Sequence, residues 1–574
     1  MIHDSLSVAM TGSGGAGVMT AGQALLDAAA HAGYYGLMGR TLGPQIRGGE
    51  SAALIRLSTS PVQSADDAFH LLVAFDWGNI ERFQAELPLT RGSVVVADPD
   101  QGEVPGFVAA TGARVVMVPF GKIAGRCPGG RANMVGLGLT AALLGVPVDV
   151  VLEVLNRSLR KKGAEAVESA VTAVTAGHAA ASDVGETPGL APPTGTGAGR
   201  WSLTGNEAAG LGTLRAGVRF AAAYPITPAT EILEWMAPNL AKVGGTLVQV
   251  EDELAAIVMT LGASYGGVPS MTATSGPGLA LMSEALSLAV ASETPVVVVD
   301  VMRGGPSTGI PTKSEQGDLN LAVYGLHGDA PHVVVAATSI TDCLHATEWA
   351  VHLAEALQCP TIVLSDQSLG QARAIVDPPP SSGPAAKRRL VTEITGTYDR
   401  YAVTPDCISP MALPGVKGGE YTAEGLAHNE HGSPSTKAEH HQAQLDKRQG
   451  KLEKYEFGPL WADVRDFGTG PTIAILTFGS VTGPVMEAAG RAWAEGLATR
   501  VVAVRLIAPI QPAAMAAALS GIGQVLVVEQ NHSAQFYHYL KAHYDLPPQV
   551  HEFHRSGPLP LRPQEIVSKI KAWR

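Results

Sequence analysis

Between Tyr224 and Asp318 the chain sets out four polar motifs, YPITPAT, VEDELAA, TATSGPG and VMRGGPSTGIPTKSEQGD, each directly behind a short apolar segment. Those segments, RFAAAYPI, TLVQV, VPSMTA and TPVVVVDV, have the make-up of buried strands, and helical patterns such as ELAAIVMTLGASYGG and GLALMSEALSLAVAS separate them. Strands alternating with helices in this way predict a parallel sheet with crossover helices. Ligands of such sheets sit at the carboxyl ends of the strands, where loops converge and helix N-termini turn their N–H groups outward. Thr227, Glu253, Ser275 and Arg303 all fall at that edge. Four strands therefore offer polar groups to one crevice.

The flanks divide into further units. From Leu6, LSVAMTGSGGAGVMTAGQALLDAAAHAG reads as a strand, a glycine-rich turn and a helix. Gly12, Gly14, Gly15 and Gly17 let backbone approach a phosphate at a helix N-terminus, but the acid that a dinucleotide fingerprint places about 20 residues further on is missing. A different phosphate-bearing ligand and a plain tight turn both stay open. Arg40 and Arg47 lie in the glycine-rich stretch GRTLGPQIRGGE, suited to an anion, to a subunit contact or to a solvated turn. This α/β unit spans residues 1–180. A Gly-, Pro- and Thr-rich linker follows over 181–203, and the central domain covers 204–376. Residues 377–469 are polar with few periodic segments and read as an extended arm over a neighbouring domain or subunit, or as a connector. Residues 470–574 alternate again, from PTIAILTFGS to a final helix ending at Trp573. Glu529 and Asn531 lie at a strand end there and suggest packing or docking.

At 574 residues with a net charge of −12, the chain has room for about three or four α/β domains and no footprint for nucleic acid. No run approaches the ~18 apolar residues of a membrane span and no signal peptide is evident, so a cytoplasmic location is expected. Four scattered cysteines, Cys127, Cys343, Cys359 and Cys407, contain no CxxC pair. An iron–sulfur cluster held by this chain alone is excluded, and polar loop histidines are the better reading of His428, His431, His440 and His441.

The central motifs resemble the α subunit of 2-oxoacid:ferredoxin oxidoreductases. GSGGAGVMTAGQ with GPQIRGGESAALIRL resembles that family's γ subunit, fused here ahead of α, and GPSTGIPTKSEQGDL most resembles the 2-oxoglutarate branch. The resemblance implies three α/β domains: a γ-type domain, a thiamine-pyrimidine-binding domain and a transketolase-C-like domain. It implies interconversion of 2-oxoglutarate plus coenzyme A with succinyl-CoA plus CO2, on thiamine diphosphate, with electrons to or from ferredoxin. The GDG and NN motifs of the diphosphate–Mg²⁺ site are absent, leaving GDL at Gly317 and GDA at Gly328. The resemblance therefore implies a separate β subunit that carries Mg²⁺ and a [4Fe–4S] cluster and shares the thiamine diphosphate, in a dimer of αβ heterodimers. Pyruvate or another 2-oxoacid as substrate, a noncatalytic assembly subunit and an NAD-dependent dehydrogenase are the competing readings.

By the family pattern Glu253 shares a proton with N1′ of the aminopyrimidine, a task that needs burial to raise a carboxyl pKa. The residues alone also allow Glu251, Asp252 and Glu253 to serve as negative charge at a helix N-terminus. Arg303 matches the family's clamp on the substrate carboxylate, with Thr227 and Thr312 as its hydroxyls; a salt bridge and turn bonding are the plain alternatives. Tyr224, Pro225, Ser275 and Gly276 are expected to border the pyrimidine. Lys313 and Arg47 are available for a distal carboxylate, which the β subunit could equally supply with a cation, and Gly14, Gly15 and Arg47 for coenzyme A.

Overall fold

The computed structural model describes residues 2–42, 49–380, 383 and 387–572. Arg47 and Trp573 lie outside the described residues, and the last helix is described over Pro563–Ala572. The chain forms two compact units. One comprises Met1–Leu203, Ala372–Pro379 and Arg562–Gln564, the other Thr204–Gln371, Pro380–Leu561 and Glu565–Arg574.

The first unit is built on an eight-stranded sheet in the order Arg114–Met117, Val94–Ala97, Leu71–Ala74, Ser5–Ser13, Glu50–Ser58, Tyr35–Leu42, Arg373–Val376 and Trp201–Thr204. The first four strands are parallel, but Ser5–Ser13, Glu50–Ser58, Tyr35–Leu42 and Arg373–Val376 pair antiparallel in succession. Successive strand residues face opposite sides. Val8 and Met10 accordingly join a core with Leu25, Leu26, Val135 and Val174, while Ala9 joins a second one with Phe69, Ile80, Phe83 and Val108. Arg40, which the glycine-rich sequence around it places in a loop, is instead part of the strand Tyr35–Leu42.

The second unit contains a seven-stranded sheet ordered Thr246–Gln249, Phe220–Ala223, Ser270–Thr274, Val296–Met302, Pro360–Asp366, Val333–Ala336 and Leu506–Ala508. Its first six strands run parallel, and Leu506–Ala508 closes the edge antiparallel to Val333–Ala336. Val296–Met302 and Pro360–Asp366 are buried along their whole length, as the central strands of a sheet covered on both faces must be. A five-stranded sheet follows in the order Ala462–Phe467, Thr499–Val504, Ile473–Thr477, Gln524–Glu529 and Gln549–His554. Among the described residues no helix is long and apolar enough to cross a membrane.

The polar stretch after residue 376 holds a helix of 17 residues, Ala438–Lys454. Its buried side is Gln444, Lys447, Arg448, Gly450, Lys451 and Leu452, so its inward face is written in cations and a hydrophobic period cannot reveal it. Those cations close on Glu293, just past the helix Gly276–Ala291. Lys447 and Lys451 both pair with its carboxylate, the latter at 3.2 Å, and Arg400 donates to the Glu293 carbonyl at 2.9 Å and to Gln358 Oε1 at 2.8 Å. Burial pushes the Glu293 carboxyl up, but Lys451, Lys447 and Arg400 together hold it well below its ordinary 4.5. A second strap is the two-pronged Arg388–Glu355 pair, both prongs 2.8 Å and both side chains buried. Charges taken out of water in this way stay paired or the structure opens.

Replacing Glu293 by Gln leaves Lys447 and Lys451 buried without a counter-charge, so the variant is expected to lose about 3–5 kcal/mol of stability by urea unfolding. Because the folded-state pKa lies below the unfolded one, the wild-type advantage is complete above pH 4.5 and fades as pH falls through the folded value.

Candidate active site

The strands Thr246–Gln249, Phe220–Ala223, Ser270–Thr274 and Val296–Met302 are adjacent and parallel, so the four polar motifs emerge from one edge. The chain order reverses between Phe220–Ala223 and Ser270–Thr274, and a crevice opens at such a switch point. Tyr224 and Pro225 leave the first of these two strands, and Ser275 and Gly276 leave the second.

The three acids of VEDE separate by position. Asp252 is the cap of the helix Glu253–Tyr265, its carboxylate accepting from Ala255 N at 2.7 Å, and Glu251 and Asp252 are exposed. Glu253 is buried at 7% exposure. Helix capping is thus discharged by Asp252, and Glu253 is turned inward for another reason. Its side chain lies against the first turn of the helix Gly276–Ala291: a Cβ placed on Gly278 would sit 2.7 Å from Glu253 Cγ and 2.0 Å from Thr274 Oγ1. Ser275, fully buried at the head of that helix, has a hydroxyl with no hydrogen-bond partner. A buried hydroxyl left unpaired costs about 1–3 kcal/mol unless a ligand completes it.

Arg303 follows the strand Val296–Met302 and donates from Nη1 to the Thr227 carbonyl at 2.7 Å. The two residues are together, as the clamp requires, though the contact is to the Thr227 main chain. Burial lowers the Arg303 pKa, and the charge of Asp318 counters it. Thr312 lies in the same loop at φ +43°, a left-handed backbone that side chains other than glycine adopt only under local constraint. The loop is knotted by Gly304 N to the Lys313 carbonyl at 2.9 Å and by Ile310 N to the Gly304 carbonyl at 3.1 Å. Gln316 pins its far end: the side chain donates to the Phe478 carbonyl at 2.8 Å and accepts from Gln530 N at 2.8 Å. Asn531 adds a bond to the Gln316 carbonyl at 3.2 Å, while Glu529 accepts from Phe536 N and Tyr537 N at 2.8 and 2.9 Å. Asn531 therefore braces the loop, and Glu529 holds Asn531 and the start of the following helix.

Gly14 and Gly15, in the first unit, form the exposed turn into the helix Val18–His31, with Gly15 at φ +100°. Ser13 beside them bonds Asp76 through N at 2.9 Å and Oγ at 2.8 Å, so a carboxylate already meets this turn. Sequence reasoning did not single out Asp76, Asp300, Asp318 or Gly278. A lone acid inside the apolar run VVVVDVM was the available signal for Asp300.

A family model described as pyruvate flavodoxin/ferredoxin oxidoreductase, thiamine diphosphate-binding, matches residues 211–447, and one described as pyruvate ferredoxin/flavodoxin oxidoreductase matches residues 7–180. The chain is 35% identical over 382 residues to the 2-oxoglutarate synthase subunit KorA of Methanothermobacter marburgensis, covering 64% of this chain and 97% of that one. The chain belongs to the 2-oxoacid:ferredoxin oxidoreductases. A 2-oxoacid:ferredoxin oxidoreductase α subunit from a Sulfolobus species is 28% identical over 590 residues, 92% of this chain and 91% of that one. Among solved structures, the 2-oxoglutarate:ferredoxin oxidoreductase of Magnetococcus marinus, with 2-oxoglutarate, coenzyme A and succinyl-CoA bound, matches with a TM-score of 0.92 at 36% identity and covers 99% of each chain. The family model described as thiamine diphosphate-binding spans this edge, and the ring nitrogens and amino group of an aminopyrimidine are matched chemically by a buried carboxyl and an unpaired hydroxyl. Glu253 and Ser275 meet that description, and the side-chain-free backbone at Gly278 makes room for the carboxyl. The residues present fit the group.

Gly278→Ala would force Glu253 or Thr274 aside, and a shift of about an ångström at a positioning group costs on the order of a hundredfold in rate. The variant is expected to keep its circular-dichroism spectrum and lose about that much kcat.

Proposed function

We propose that this chain is the α-type, γ-fused subunit of an enzyme that interconverts 2-oxoglutarate plus coenzyme A with succinyl-CoA plus CO2, exchanging electrons with ferredoxin. The observation that carries the reading is Glu253: alone among three consecutive motif acids it is buried, against the first turn of the helix headed by the unpartnered Ser275 hydroxyl, in a domain matched by a thiamine-binding family model. The 2-oxoglutarate assignment is supported by the names of KorA and of the Magnetococcus enzyme, which match most of their own lengths.

Thiamine diphosphate, when bound, supplies a nucleophilic carbon for the keto group and an electron sink for decarboxylation. Glu253, buried at the start of its helix, would hold the proton at N1′ of the aminopyrimidine. Ser275 Oγ, with Tyr224, Pro225 and Gly276, borders the ring. Arg303 binds the carboxylate of the 2-oxoacid, because a planar guanidinium meets a carboxylate with two parallel N–H bonds. Thr227 and Thr312 supply hydroxyls around it, and the distal carboxylate is taken by Lys313 or Arg47 or by a cation of the β subunit. Gly14, Gly15 and Arg47 contact coenzyme A.

A separate β subunit holds the diphosphate, its Mg²⁺ and a [4Fe–4S] cluster, in a dimer of αβ heterodimers. Two features support this. The sequence has no GDG–NN pair and only single, buried, free cysteines. The two packed helices that begin at Glu253 and Gly276 also leave Leu254, Val258, Met259 and Leu281 about half exposed, an apolar cluster of the kind that marks a protein contact.

In the copurified complex, Glu253→Gln is expected to assemble normally and to lower kcat by about 10²–10⁴-fold. Turnover at the wild-type rate would favour a noncatalytic subunit. Arg47→Ala is expected to raise KM for coenzyme A and spare that for 2-oxoglutarate; an unchanged coenzyme A requirement would remove Arg47 from that site.

A further inference from the structure

Asp300 is the single acid in the strand Val296–Met302; it is fully buried, and neither carboxylate oxygen has a hydrogen-bond partner. An ionised carboxylate without donors is far costlier to bury than the neutral acid. Its register partner on the neighbouring strand is Thr274, two residues before Gly276. Asp318, at the end of the loop that leaves the Asp300 strand, returns to the same corner. Both its oxygens lie 2.6 Å from where a Cβ on Gly276 would sit, and Oδ2 is buried and unpartnered. Gly276 therefore makes room for a carboxyl just as Gly278 does for Glu253.

Two buried carboxyl groups near each other do not both ionise; the one that faces a cation keeps the charge. Burial, then the charge of Asp318, drives the Asp300 pKa well above its ordinary 3.8. For Asp318, burial and then Glu315 raise the pKa to about 6, while Arg303 opposes them. Glu315 in turn accepts from Gly557 N at 3.1 Å and feels His532. Arg303 makes no ion pair with a carboxylate among the described residues, and its Nε is buried without a partner. Asp318 thus acts on the guanidinium through its charge and without a hydrogen-bonded ion pair.

We propose that Asp300 is a neutral carboxylic acid at working pH, that Asp318 carries the single negative charge of the pair, and that this charge makes Asp318 a positioning residue for Arg303. The protonation of Asp300 stands on the geometry alone; the positioning role rests on the function proposed above.

Infrared spectra of the copurified complex at pH 7 test the first part. A protonated-carboxyl band is expected in the wild type and absent from Asp300→Asn; its absence from the wild type would overturn the assignment. Stability gives an independent check. The native state keeps a proton on Asp300 that the unfolded chain releases above 3.8, so the wild type is penalised increasingly as pH rises. Asp300→Asn is therefore expected to gain melting temperature over the wild type from pH 4 to pH 7, and a gain that does not grow over that range counts against it.

The second part is read from kinetics with 2-oxoglutarate. In the wild type kcat/KM is expected to fall as pH drops through about 6, as Asp318 takes up a proton. Asp318→Asn is expected to lose that fall, with KM raised several-fold and kcat near the wild-type value. Persistence of the acid fall in Asp318→Asn would overturn the positioning role. Absence of turnover with any 2-oxoacid would sink the proposed function and that role together, while the infrared band still decides Asp300.

Discussion

A carboxylate taken out of water keeps its charge most securely when cations come in with it, and Glu293 brings three. Lys447, Lys451 and Arg400 reach it from a segment of poor hydrophobic pattern, and in doing so they fasten that segment beside the end of the helix Gly276–Ala291. The same helix begins at the candidate site, where Ser275, Gly276 and Gly278 lie. One end of the helix is thus held by ionic contacts and the other receives side chains from three neighbouring strand ends. The attachment at Glu293 contributes to the position of everything at the far end.

Much of this arrangement was legible in the residues. The alternation of apolar runs and glycine-rich or acidic motifs placed Thr227, Glu253, Ser275 and Arg303 at the ends of parallel strands, and the structure has those four strands side by side. The legible part is the part that hydrophobic burial dictates. The helix Ala438–Lys454 was hidden because its inward face is Lys447, Arg448 and Lys451, and no rule of periodicity reads cations as core. The antiparallel half of the first sheet was hidden for a different reason: strand direction is set by pairing between segments as distant as Tyr35–Leu42 and Arg373–Val376.

Within the site, the residue types were readable and their division of labour was not. VEDE presents three equivalent-looking acids, and only the backbone turn at Asp252 shows that capping falls to it while Glu253 goes inward. Asp300 and Asp318 are 18 positions apart in the numbering of the chain. Nothing local says that the loop carboxylate of Asp318 returns to Gly276, two residues past Thr274, the register partner of Asp300.

Gln316 binds the end of that knot to Phe478 and Gln530, in the portion of the chain that supplies no reacting group. The terminal sheet is therefore a mechanical abutment for the loop that follows Arg303. How firmly a guanidinium some dozen residues upstream is held thus depends, through one amide side chain, on strands that carry none of the candidate site residues.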